Sequence, residues 1–102
     1  MTALYVVILT YVRPIAEIEA ALDEHRLWLQ RNYDDGIFLA SGPRDPRVGG
    51  IILAAGIDRA ALDARLAGDP FARRGLATVE VYTFAPNKHA ETFGGVLSTF
   101  RT

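Results

Sequence analysis

The sequence predicts an α+β domain, a four-stranded antiparallel sheet with two helices packed on one face. Three observations carry that expectation. Four short segments read as strands, at residues 3–9, 37–41, 48–55 and 78–84, the first an apolar run rich in β-branched residues and the last alternating. Between the first and second runs, and again between the third and fourth, apolar residues recur every three or four positions, the period of an amphipathic helix. The chain has 102 residues, the size of one domain, so these elements must share a core.

The first run, Ala3-Leu4-Tyr5-Val6-Val7-Ile8-Leu9, is apolar throughout and reads as a strand buried on both faces. Pro14 then fits the first turn of a helix. Ile15, Ile18, Leu22, His25 and Leu29 form its apolar stripe, flanked by Ala21 and Trp28, with Glu17, Glu19, Asp23 and Glu24 on the other side. This helix is expected to end near Asn32 or Tyr33, followed by a turn at Asp34-Asp35-Gly36. Ile37 to Ser41 makes the second strand, Gly42 to Arg47 a loop, and Val48 to Ala55 the third strand, where Gly49-Gly50 permits a bulge or a close backbone approach. Asp58 is placed to cap a second helix that carries Leu62 and Leu66 on one face and ends at Ala67-Gly68. Pro70 stops that helix, and the residue before a proline is pushed toward extended backbone, so Asp69 should turn out of it. Arg73-Arg74-Gly75 reads as a loop, and Thr78 to Phe84 alternates as the fourth strand.

The order strand, helix, strand, strand, helix, strand is the split β-α-β pattern of a ferredoxin-like fold. Right-handed crossovers then place both helices on one face of the sheet. Residues 1–102 are read as a single domain with its core at about 3–85. The remainder, 86–102, is a C-terminal extension whose Phe93, Val96, Leu97 and Phe100 suit packing on the sheet or against a partner chain.

Composition narrows the function. The net charge is -1, with acidic and basic residues mixed, so no basic face for nucleic acid is expected. There is no cysteine, which removes thiol nucleophiles and zinc-thiolate sites and is compatible with a cytoplasmic location. The apolar run after Met1 is too short to span a membrane and has no basic residues before it, so no membrane association or signal peptide is expected. No dinucleotide fingerprint, calcium loop or clustered metal ligands are present, and no cofactor is expected.

Helices cover only one face of such a sheet, yet the first and third strands are apolar on both. The uncovered face predicts a homodimer packed sheet against sheet, the alternative being that the C-terminal segment folds back over it.

The residues able to carry chemistry are few. His25 alone reads as a core histidine, and Asp69 alone as a cap or turn residue. Together they suggest a dyad, in which a carboxylate accepting from one ring nitrogen leaves the other free as a general acid or base. Ser41 can serve as a hydroxyl at a strand end, without the surroundings of a nucleophile elbow. Arg44 and Arg47 suit an anionic substrate at a pocket mouth, and Tyr5, Tyr11, Trp28 and Phe71 suit either a pocket wall or the core. His89 lies in the tail, apart from these residues in sequence.

His25, then Asp35-Gly36-Ile37-Phe38-Leu39-Ala40-Ser41-Gly42-Pro43, Gly49-Gly50, and Asp69-Pro70-Phe71 with Gly75-Leu76 form an ordered set that resembles the YciI-like (YCII-related) family over about residues 3 to 85. The resemblance implies a ferredoxin-like fold related to the dimeric α+β barrels, a homodimer, and a catalytic dyad at His25 and Asp69. It also implies that Ser41 lines the same pocket. We add Gly42, Arg44 and Phe71 as candidate substrate contacts. One branch of the family is linked to chloride elimination from chlorinated hydroxyquinol-type aromatics. The expected function is a small cofactor-independent enzyme of the lyase, isomerase or dehydrohalogenase type, acting on a small polar or aromatic compound. The alternative is a non-catalytic dimeric module that binds a small molecule.

Overall fold

The computed structural model describes residues 3 to 98. Its elements run β1 (Leu4–Tyr11), α1 (Ile15–Ala20), α2 (Leu22–Asp34), β2 (Phe38–Pro43), β3 (Gly49–Ala54), α3 (Arg59–Leu66), α4 (Pro70–Arg73), β4 (Ala77–Phe84) and α5 (Glu91–Ser98). The strands form one antiparallel sheet in the order β2-β3-β1-β4, the ferredoxin-like arrangement expected from the sequence. β1 is therefore central, which explains its unbroken apolar run. Tyr5, Val7 and Leu9 point to the helical side and pack with Ile52, Trp28, Leu62 and Leu66.

The first predicted helix is two helices. The chain breaks at Ala21, whose φ of -100° and ψ of 1° leave the helical region. Ile18 and Ala21 pack with Phe71, Leu76 and Ala77 in a second cluster, while Trp28 belongs to the main core. The break thus lets two halves of one apolar stretch serve two clusters. It also rotates the stripe. The buried line is Ile18, Ala21, His25, Trp28 and Asn32, whereas Ile15 is exposed and Leu22 and Leu29 lie at its margin.

α2 and α3 are tied by polar groups in addition to apolar contacts. The Trp28 indole donates to the Arg65 carbonyl at 3.0 Å. The Arg65 guanidinium in turn donates to Asn32 Oδ1 at 3.1 Å and to Asp35 Oδ2 at 2.7 Å. Asp58 caps α3, accepting from the Ala61 amide at 2.8 Å, as its position in the sequence predicts.

Residues 70–73 are helical, so Arg73, read from sequence as the start of a loop, closes a short helix instead. Pro70 stops α3 and also opens the one-turn helix α4, because its fixed φ suits a first helical position. Gly75, at φ 65°, ends that turn.

The second face of the sheet is partly covered. Leu97 of α5 packs with Leu4 and Ala55, with Phe93 and Leu39 beside them. This is the fold-back expected as the alternative to a partner chain. Phe100 lies outside the described residues. Away from α5, Val6 sits between Leu53 and Tyr82, and Ile51 and Phe84 share that face. Ile51, Tyr82 and Phe84 are exposed. Tyr82 donates to Glu80 at 3.0 Å; that hydrogen bond, and then the Glu80 charge, push its phenol pKa upward.

Candidate active site

The short connection from α3 to α4 delivers Asp69 to His25. Asp69 has extended backbone, with φ of -62° and ψ of 127°, as a residue before proline should. Its Oδ1 accepts from the Phe71 amide at 3.0 Å, capping α4. The same oxygen accepts from His25 Nδ1–H at 2.7 Å. Asp69 is 1% exposed and His25 8%, so the pair is shielded from water. Asp69 Oδ2 is buried without a hydrogen-bond partner among the described residues. Capping and pairing therefore fall on one oxygen.

Packing fixes the imidazole plane. Phe71 stacks on it with ring centroids 3.9 Å apart and planes within 5°, and Trp28 lies 5.6 Å away. With Nδ1 committed to Asp69, Nε2 has no protein partner among the described residues. His25 forms part of the wall of a cleft of about 360 Å³ between α2 and the β2–β3 side of the sheet. That volume suits a small organic ligand.

The cleft owes its room to small residues. Ser41, Gly42 and Gly50 contribute to its sheet-side wall, and Gly42 has nothing within 4 Å of where a Cβ would stand. Leu9, Tyr11, Leu22, Leu29 and Ile52 make the rest largely apolar. Phe71 also lines it. Arg44 does not: it donates to Thr10 Oγ1 at 3.1 Å, because its loop folds along the end of β1. The arginines that do line the cleft are Arg26 and Arg47. Of the four aromatics considered from sequence, Tyr11 and Phe71 are wall residues. Tyr5, donating to the Ile57 carbonyl, and Trp28 belong to the core. His89 Nδ1 donates to the Ala90 carbonyl, away from the cleft.

Two participants were not evident from the sequence. Tyr33 shares a 2.6 Å hydrogen bond with Ser41 Oγ across the α2–β2 junction. Arg26 lies next to His25 on α2 and reaches the cleft edge. Adjacency to His25 was the only signal for Arg26, and nothing in spacing singled out Tyr33. Among the described residues no cluster of three potential metal ligands occurs. No helix among them is long and apolar enough to cross a membrane.

The family model of the YCII-related domain matches residues 4–85. The chain belongs to the YCII-related family. The match ends just after β4, so α5 lies beyond it, and His25, Asp69 and all the cleft residues lie within it. A comparison with curated protein sequences gives no match. Solved structures give several. The 5-chloro-2-hydroxyhydroquinone dehydrochlorinase of Burkholderia phenoliruptrix AC1100, in complex with 2,5-dihydroxybenzoquinone, superposes with a TM-score of 0.65 at 16% identity, over 87% of this chain and 97% of that one. SnoaB, a cofactor-independent oxygenase from Streptomyces nogalater, gives a TM-score of 0.53 at 20% identity, over 88% and 97%. At these identities the likeness is one of fold.

Proposed function

We propose that this YCII-related chain is a small cofactor-independent enzyme whose general acid–base group is His25, oriented by Asp69. The observation that carries this reading is the 2.7 Å bond from His25 Nδ1–H to a carboxylate that is itself buried. It sets the tautomer, so neutral His25 presents the Nε2 lone pair to an apolar cleft. Nε2 can then take a proton from a bound substrate while the Asp69 charge stabilises the imidazolium formed. In an elimination the leaving group departs with its bonding pair, and the net change is loss of a proton and that group. In an isomerisation the same proton is returned to a different atom.

The dehydrochlorinase that shares the fold makes chlorinated hydroxyquinols the first compounds to try. With a substrate found by screening, His25→Gln should lower kcat/KM by a factor of about 10²–10⁴. Unchanged turnover in that variant would overturn the assignment. One observation favours the rival binding module: Ser41 is bonded to Tyr33 and not to His25, so the cleft lacks a serine–histidine nucleophile pair. That module predicts ligand binding without product, in both wild type and variant.

A homodimer belongs to the same proposal. The apolar strip of Val6, Ile51, Leu53, Tyr82 and Phe84, left open beside α5, suits a second copy of the sheet. Light scattering at micromolar concentration should give twice the 11.2 kDa chain mass, and a monomer mass would remove the dimer from the proposal.

A further inference from the structure

We infer that the cleft takes an organic anion with an apolar body, its charged oxygens facing Arg26 and Arg47 and its body lying toward His25. This rests on the cleft being the ligand site, and it names the class of ligand. The first argument is the sign of the charge. Arg26 and Arg47 are the lining residues that carry a permanent charge, and among the described residues no Asp or Glu lines the cleft. The Asp69 carboxylate is buried and already bound to the imidazole.

The second argument is that both arginines are available. Arg47 meets Glu19 at 3.1 Å, with the two side chains 44% and 56% exposed. Arg26 meets Asp23 at 3.8 Å, and Asp23 is almost wholly in water. Exposed pairs of this kind contribute about 0–1 kcal/mol, so a ligand anion can displace them. A guanidinium also offers a planar fork of donors matched to a carboxylate, which makes replacement favourable in a partly dry cleft.

The third argument is the rest of the wall. Leu9, Tyr11, Leu22, Leu29, Ile52 and Phe71 offer little to a strongly hydrated ligand such as a sugar. They suit an aromatic or unsaturated body, and about 360 Å³ accommodates one or two rings. A carboxylate bound at one end also serves proton transfer at the other, since it orients the body against Nε2.

The test uses two probes of nearly equal shape, naphthalene-2-carboxylate and naphthalene-2-carboxamide, titrated into the full chain by calorimetry. The carboxylate should bind at least about tenfold more tightly, the scale expected when charge-assisted hydrogen bonds replace neutral ones. That ratio should shrink in high salt. It should fall to near one in the Arg26→Gln/Arg47→Gln double variant, with the carboxamide affinity and the melting temperature unchanged. Equal binding of the two probes, binding of neither, or a ratio that survives in the double variant would each overturn the inference. The His25→Gln variant should keep the ratio. Loss of turnover in His25→Gln with the preference intact bears on the proposed chemistry, whereas loss of the preference in the arginine double variant bears on the class of ligand, so the two readings fail separately.

Discussion

Replacing Asp69 with alanine is expected to cost both stability and turnover, whereas asparagine should cost turnover with a smaller loss of stability. Alanine removes the cap of α4, which contributes about 1 kcal/mol in typical helices. It also leaves His25 Nδ1–H buried without an acceptor, at about 1–3 kcal/mol. Relief of the unpartnered Oδ2 acts in the opposite direction, so a net loss of about 2–3 kcal/mol is expected. Asparagine keeps an oxygen for both Phe71 N–H and His25 Nδ1–H, and it removes a buried charge. Its amide nitrogen takes the place of Oδ2, which has no partner among the described residues, so a loss of about 1–2 kcal/mol, smaller than for alanine, is expected. What it lacks is the negative charge that supports the imidazolium, so kcat/KM should fall by about 10²–10⁴. Urea denaturation and turnover, measured on both variants, separate the two effects. An asparagine variant with full activity would show that the carboxylate's charge has no part in the chemistry.

The largest loss of stability is expected from Gly49→Ala, at a residue outside the dyad. A Cβ at position 49 would stand 1.8 Å from the Leu9 carbonyl oxygen and 2.7 Å from its carbon. Both are backbone atoms of the central strand, so no side chain can swing aside. β3 would have to move off β1 where Gly49 faces Thr10. The hydrogen bonds from the Tyr11 N–H to the Val48 carbonyl and from the Arg44 N–H to the Gly49 carbonyl lie in the same segment and would be strained. Backbone clash with loss of ladder bonds should cost about 3 kcal/mol or more. For a domain of this length that is a fall in melting temperature of roughly 10–20 °C. Gly36→Ala provides the contrast. Its site has a φ of 75° but open space, so the cost should be about 1–2 kcal/mol. A melting temperature for Gly49→Ala no lower than for Gly36→Ala would show that the two strands can separate cheaply at that point.

The local rules were legible where one residue decides the backbone. The ordering of apolar periods gave the ferredoxin-like sheet, Asp58 gave a cap, and Pro70 gave both the end of α3 and the extended conformation of Asp69. His25 and Asp69 are joined by a 2.7 Å hydrogen bond, while the catalytic role given to the pair belongs to the proposal. The break at Ala21 was not legible, because alanine favours helix and only the separation of two apolar clusters calls for a bend there. Asn32 is polar, yet it is buried because Arg65 and the Trp28 carbonyl satisfy its amide from two helices.

By itself, the sequence determined the order and type of the principal elements, since hydrophobic period and proline position act over a few residues. It also determined which residue types were available for chemistry, and so the general acid–base character of the proposal. The tertiary structure alone decided that Arg26 and Arg47, rather than Arg44, border the cleft, and that Ser41 answers to Tyr33. It also decided that α5 covers part of the second face of the sheet. The physical reason is range. A loop arginine or a strand-end hydroxyl is directed by what stands opposite it, and its neighbours in space here come from elements 8 to 34 residues away in the chain.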